Sequence, residues 1–153
     1  MKKLFNFLMK FVITICIFAI VFVGSAYAGY LYITPSSYIS LNGTPSVKFS
    51  ANVFDRVINV ESDNEIEEII NDLKLNNTNI SNAVQKTVDE LVSDGYISKN
   101  NNSSLIISVS NTDANKANNM MKKLQDEIKI KLDGTDGKEE IQMVKVEAIV
   151  IKK

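Results

Sequence analysis

The 153-residue chain has no histidine, no tryptophan, one cysteine and two prolines. Without histidine it lacks the commonest general base near neutral pH and the commonest zinc ligand. Its one cysteine, Cys16, lies in an apolar run, so an intrachain disulfide, thiol catalysis and a thiolate metal site are excluded. Gly134-Thr135-Asp136-Gly137-Lys138 lacks the spacing of a phosphate-binding loop, and Glu139 follows its lysine. Asp133 and Asp136 do not match an EF-hand loop. The carboxylate pairs Glu67-Glu68, Asp126-Glu127 and Glu139-Glu140 are sequence neighbours, which point apart on a helix or strand and read as solvated charge. Met120-Met121 reads as core. These absences argue against a conventional enzyme and predict no catalytic residue, no cofactor and no metal. No basic stripe stands out, so nucleic acid is not an expected partner.

What is present is unevenly placed. Residues 11–33 contain no charged side chain over 23 positions. At about 1.5 Å per residue such a helix crosses a hydrocarbon core of roughly 30 Å. Lys2, Lys3 and Lys10 precede the run without a compensating acid, which predicts a cytoplasmic N-terminus and a domain on the other side. The expected organisation is a short cytoplasmic segment (1–10), a transmembrane helix (11–33) and an extracytoplasmic domain (34–153). A cleaved signal peptide is the rival reading, because Ala26-Tyr27-Ala28 has the small-x-small form of a cleavage site. A retained anchor is preferred because apolar character continues through Tyr30, Leu31, Tyr32 and Ile33, with tyrosines suited to the interface. Beyond the run, 14 basic residues face 18 acidic ones, a balance of about −4.

The outer part reads as α+β, in the order β-β-α-α-β-α-β, a small mixed sheet covered by helices. Tyr38–Ser50 and Ala51–Glu61 are expected as two strands. The first carries Ile39 and Leu41 on one face, breaks at Asn42-Gly43-Thr44-Pro45, and resumes with Val47 and Phe49. In the second, Phe54, Arg56, Ile58 and Val60 alternate with Val53, Asp55, Val57 and Asn59. Ser62-Asp63-Asn64 carries helix-start chemistry before Ile66, Ile69, Ile70 and Leu73, which share one helical face. Asn76-Asn77-Thr78-Asn79 ends that helix and caps a second, with Ile80, Ala83, Val84, Val88, Leu91 and Val92 inward and Asp94-Gly95 at its end. Lys99–Asn102 is expected as a polar loop and Leu105–Val109 as a largely buried strand. Asn111-Thr112-Asp113 caps a third helix, with Ala117, Met120, Met121, Leu124 and Ile128 inward. Asp133–Gly137 is expected as a loop, and Ile141–Ile151 as the last strand, with Val144, Val146, Ala148 and Val150 on one side.

Three segments together resemble a known family: Tyr32-Ile33-Thr34-Pro35-Ser36-Ser37-Tyr38-Ile39-Ser40-Leu41, then Pro45-Ser46-Val47, then Asn52-Val53-Phe54-Asp55-Arg56-Val57-Ile58-Asn59-Val60. They are similar to the RsgI-type anti-sigma factors of clostridia and bacilli. In these a membrane span leads into a strand reading "YxTPxSYVSIDINPS", then a second reading "NRFDRVISV" and a helix pair. Ala83-Val84 and Asp94-Gly95-Tyr96-Ile97 match the helix pair. The resemblance runs from about residue 28 to 110, and more loosely to 151. It implies a regulator that holds a sigma-I-type factor at the membrane through a small cytoplasmic domain and senses outside conditions through a C-terminal module. About ten residues precede the span and no such module follows the last strand, so the expectation is a chain that keeps only the middle part. The implied partners are the membrane, another anti-sigma or sigma-pathway protein, and an intramembrane or site-1 protease.

The resemblance also implies a site. Family members cut themselves at Asn-Pro: the asparagine side-chain amide attacks its own backbone carbonyl and expels the proline nitrogen. The competing attack by the next residue's N–H is closed, because proline has none. At the corresponding position this chain reads Asn42-Gly43-Thr44-Pro45-Ser46, a degenerate form of Asp-Ile-Asn-Pro-Ser. Thr44 has no amide, so scission before Pro45 is not expected, and the favoured reading is an uncut chain with a kink or bulge at Pro45. Asn42 precedes Gly43, whose N–H favours slow deamidation without a cut. One alternative is attack by the Thr44 hydroxyl on the Gly43 carbonyl, which cuts at Gly43-Thr44. Another is a secreted or envelope-associated interaction domain released after Ala28.

Overall fold

A computed structural model of the chain describes residues 1–97, 105–134 and 147–150, with 129–134 and 147–150 considered by backbone alone. The chain divides into two compact units, Met1–Thr34 and Pro35–Lys153. The first is a single helix, α1 (Lys2–Ile33), long and apolar enough to cross a membrane and with none of its residues buried. It runs unbroken through Ala28, and its last turn closes with Thr34 N–H donating to the Tyr30 carbonyl at 3.1 Å.

The second unit is α+β, as the order of apolar patterns predicts, with one strand more than expected. Its strands are β1 (Ser37–Asn42), β2 (Val47–Ala51), β3 (Val57–Ser62), β4 (Ile106–Asn111) and β5 (Glu147–Val150). They form one sheet in the order β3-β2-β1-β4-β5, antiparallel throughout except for the parallel β4–β5 pair. A 3-10 turn (Asn64–Ile66) leads into α2 (Glu67–Asp72), followed by α3 (Ile80–Ser93) and α4 (Ala114–Gly134). α4 links β4 to β5, as a crossover between parallel strands requires.

The extra strand comes from the stretch expected as one strand over Tyr38–Ser50. The chain reverses within it, and Leu41 lies opposite Val47 in a β1–β2 hairpin. The kink or bulge expected at Pro45 is therefore a hairpin turn. A bulge does occur, one strand later: Ala51 pairs with Val57 while Ser50 pairs with Asn59, so Ile58 is the additional residue. The bulge brings Val57 and Val60 toward one core, where strict alternation had separated them.

One apolar cluster unites a sheet face with the helices. Ile39, Leu41, Val47, Phe49, Ile107 and Val109 are buried from the sheet. The inward residues expected of each helix are buried or half-buried, and Leu75 joins them. Leu105 and Ile107 are buried but Ile106 is exposed, so β4 alternates rather than being buried on both faces. The opposite sheet face carries Ser40, Ser50, Ser108 and Ser110, with Tyr38 and Lys48 exposed.

The helix ends follow their capping residues. Asn79 Oδ1 accepts from Ser81 N at 3.0 Å, and Asp113 Oδ1 accepts from Asn115 N at 2.9 Å and Lys116 N at 3.2 Å. After α3, Gly95 takes φ +79°, where a Cβ would be strained. α4 continues through Asp133 and Gly134, where a loop was expected. The expected loop Lys99–Asn102, the remainder of Asp133–Gly137, Glu139-Glu140, and residues 141–146 and 151 of the last expected strand lie outside the described residues.

Candidate functional site

The antiparallel pairs set two turns at opposite ends of the sheet. β1 ends at Asn42, where it pairs with Ile106, and β2 begins at Val47, opposite Ser62 of β3. The five residues between the partners Leu41 and Val47, Asn42-Gly43-Thr44-Pro45-Ser46, close the hairpin as the first turn. Register alone places Asp63, the residue after Ser62, across from Ser46, the residue before Val47.

That juxtaposition is used. Ser46 N donates to Asp63 Oδ2 at 2.8 Å, and Ser46 Oγ donates to Asp63 Oδ1 at 3.0 Å. Asp63 N in turn donates to the Ser46 carbonyl at 3.2 Å. A carboxylate accepting two such bonds makes the strong, charge-assisted kind. Asp63, expected to open a helix, makes no side-chain cap bond to the 3-10 turn that follows it; its carboxylate is spent on Ser46. At the other side of the turn, Asn42 Nδ2 donates to Ser108 Oγ at 3.2 Å, tying the end of β1 to β4. Pro45 is buried and Thr44 is exposed, joined by a cis peptide bond.

The structure thus brings the five predicted residues into one turn and adds Asp63 and Ser108, which the sequence did not single out. Chemically, the residue before Pro45 supplies a hydroxyl and no carboxamide. The one carboxamide of the turn belongs to Asn42, two residues earlier, and it is engaged with Ser108. Among the described residues, no group of three or more His, Cys, Asp or Glu is placed to hold a metal ion.

The second turn, 52–56, joins β2 to β3. Asn52 is fully buried, and its Oδ1 accepts from Phe54 N at 3.0 Å and Arg56 N at 3.1 Å. Asn52 N donates to the Arg56 carbonyl and Asp55 N to the Asn52 carbonyl, so the loop closes on itself, with Asp55 at φ +57°. Asparagine is suited to organising backbone around itself in this way. The Asp55 carbonyl accepts from Ile80 N at the start of α3, and its carboxylate lies 3.0 Å from Lys116 Nζ in the first turn of α4. Lys116 Nζ also donates to the Val53 carbonyl at 3.0 Å, and Arg56 Nη1 to the Asn77 carbonyl at 3.1 Å. The Asn-x-Phe-Asp-Arg stretch is therefore a structural junction. Beside it Asp55, Asn79, Ser81, Asn115, Lys116 and Lys123 line much of an open cleft of about 390 Å³.

Residues 36–153 match the family described as the anti-sigma factor RsgI-like central domain. Among curated proteins, the chain is similar to "Anti-sigma-I factor RsgI7" of Acetivibrio thermocellus, with 24% identity over 91 residues. The aligned part is 60% of this chain and 17% of that relative, so the chain spans a small part of the protein it matches.

Proposed function

The chain belongs to the family of RsgI-like central domains of anti-sigma factors, and from that premise we propose that it is a membrane-anchored regulatory protein acting through protein–protein contacts in sigma-factor control, without cutting its own backbone. The family match over residues 36–153 carries the regulatory reading. The length and apolar character of α1 support single-pass anchoring, and Lys2, Lys3 and Lys10 support a cytoplasmic N-terminus with the sheet domain outside. The partner is a component of the sigma pathway: a fuller-length relative, a separately encoded sigma-binding subunit or a processing protease. Affinity capture of the intact chain from native membranes, with the recovered proteins identified by mass, is expected to yield a sigma-pathway component. Recovery of none under conditions that keep the chain in the membrane contradicts the reading.

The lack of scission rests on Thr44 standing before Pro45. In the rest of the turn Pro45 is buried, and Ser46 is held on both its N–H and its hydroxyl by Asp63. Thr44→Asn, combined with Gly43→Ile and Asn42→Asp, is expected to introduce a cut before Pro45, seen as a new N-terminal proline by mass spectrometry. A triple variant that folds and stays whole would show that this turn is not equivalent to the family's self-cleaving one. The secreted reading is separated by fractionation: protein in the medium starting at Gly29 favours it, and protein extracted only with detergent favours the anchor.

A further inference from the structure

We propose that the outer edge of β3 is a docking strand, which adds to the sheet an extended segment of a partner protein rich in lysine or arginine. The inference rests on the protein–protein reading above and names the surface used and the chemistry of the partner.

β3 is the last strand on its side of the sheet. Next to Ser62, Asp63 N donates to the Ser46 carbonyl, a rung between the β2 and β3 sides of the hairpin. Antiparallel rungs recur every second residue, so the backbones of Glu61 and Asn59 also turn toward β2, opposite Lys48 and Ser50. The N–H and C=O groups of Val60 and Ser62 then point away from the sheet. Val57, before the bulge, shows what this edge takes: its N–H donates to the Thr78 carbonyl at 2.9 Å, and its carbonyl accepts from Asn77 N at 2.7 Å. Among the described residues, no strand or bridge pairs with the outer side of Ile58–Ser62.

An open edge is a template for pairing with another chain, and charge selects which chains it admits. From Val57 to Leu73 the sequence has six acidic residues and no lysine or arginine. Glu61, Asp63, Glu65, Glu67 and Glu68 are exposed and, among the described residues, lie in no ion pair. Asn59 Nδ2 donates to Glu61 Oε1 at 3.2 Å, which holds that carboxylate beside the edge on the open face of the sheet. Lys48 is the one cation of β2, and it lies on the side of β3 away from the edge. A second copy pairing edge to edge would set these carboxylates against their own kind, so self-association is disfavoured. A basic strand gains both the backbone bonds and the charge attraction. The alternation of β3 gives its pattern: lysine or arginine beside Asn59 and Glu61 on the open face, apolar residues beside half-buried Val60 on the core face.

A synthetic peptide of about ten alternating lysine and valine residues serves as the probe, titrated into the full-length chain in nonionic detergent. Its controls are a glutamate–valine peptide and a lysine–valine peptide N-methylated along its backbone. The unmodified lysine–valine peptide should bind at least about tenfold tighter than either control, weaken as salt rises, and slow amide exchange at Val60 and Ser62. Ser62→Pro removes an outward N–H and leaves the β2 rungs in place, and Glu61→Lys reverses a charge at the edge. Each should weaken the peptide at least about fivefold, and Glu61→Lys carries the test if Ser62→Pro does not fold. Equal binding of the N-methylated peptide overturns the proposal, because charge alone then accounts for it. Equal binding of the glutamate–valine peptide overturns it too, as do exchange slowed elsewhere but not at Val60 and Ser62, and no binding at about 1 mM peptide. The two readings fail separately: an empty affinity capture contradicts the regulatory reading, and peptide binding indifferent to N-methylation contradicts the docking edge.

Discussion

The two turns that close the β1–β2 and β2–β3 hairpins are built on different principles. The 52–56 turn is organised from inside, by a buried asparagine whose carbonyl oxygen takes two backbone N–H groups, and it ties together the starts of α3 and α4. The 42–46 turn is organised from outside, by the exposed Asp63 carboxylate gripping Ser46 across one hairpin rung. The first is woven into the core, and altering it disturbs several elements. The second is local, so its sequence can change without loss of the fold. That difference leaves the 42–46 turn free to vary in sequence while the domain around it keeps its architecture.

Disrupting the buried organiser gives the largest expected effect. Asn52→Ala leaves two backbone donors without their acceptor and removes a buried polar anchor, which should destabilise the domain by about 2–3 kcal/mol. Circular dichroism melting of the detergent-solubilised chain reads this as a clear fall in Tm. Faster amide exchange is expected at Ile80 and Lys116 as well as in the loop. Asp63→Ala should cost less, about 0.5–1 kcal/mol, because the carboxylate is exposed and water replaces part of what it supplies. Its signature is locality: the Ser46 amide exchanges about five- to tenfold faster while Ile80 and Lys116 keep their protection. If the two substitutions spread equally through the domain, the contrast between the turns fails.

Much of this arrangement was legible in the sequence, and the misreadings have specific causes. The helices were clear because apolar residues recur at helical spacing between recognisable caps, such as Asn79 before α3 and Asp113 before α4. The β1–β2 hairpin read as one interrupted strand because Leu41 and Val47 are six positions apart. An even spacing keeps a period of two in phase straight through a turn, although the chain reverses there and the two residues face each other as partners. β3 misled in the opposite sense: the bulge at Ile58 shifts the alternation by one, so Val57 and Val60 serve one core at odd spacing. Asp63 does precede the first helical turn, as its cap-forming neighbours suggest, but its carboxylate serves Ser46 instead of the cap. Its role at Ser46 depends on the β2–β3 register, a long-range pairing that local pattern does not carry. Residues 42–46 draw attention in the sequence only through the resemblance; spacing alone leaves them a break within one strand.

The central proposal is that this RsgI-like domain leaves its 42–46 turn uncut, because Thr44 before Pro45 carries no carboxamide. The most direct measurement is the intact mass of the purified full-length chain after prolonged incubation, with N-terminal analysis of every species. The account predicts one polypeptide at the full mass of 17.1 kDa. A pair of fragments, one beginning at Thr44 or Pro45, would contradict it.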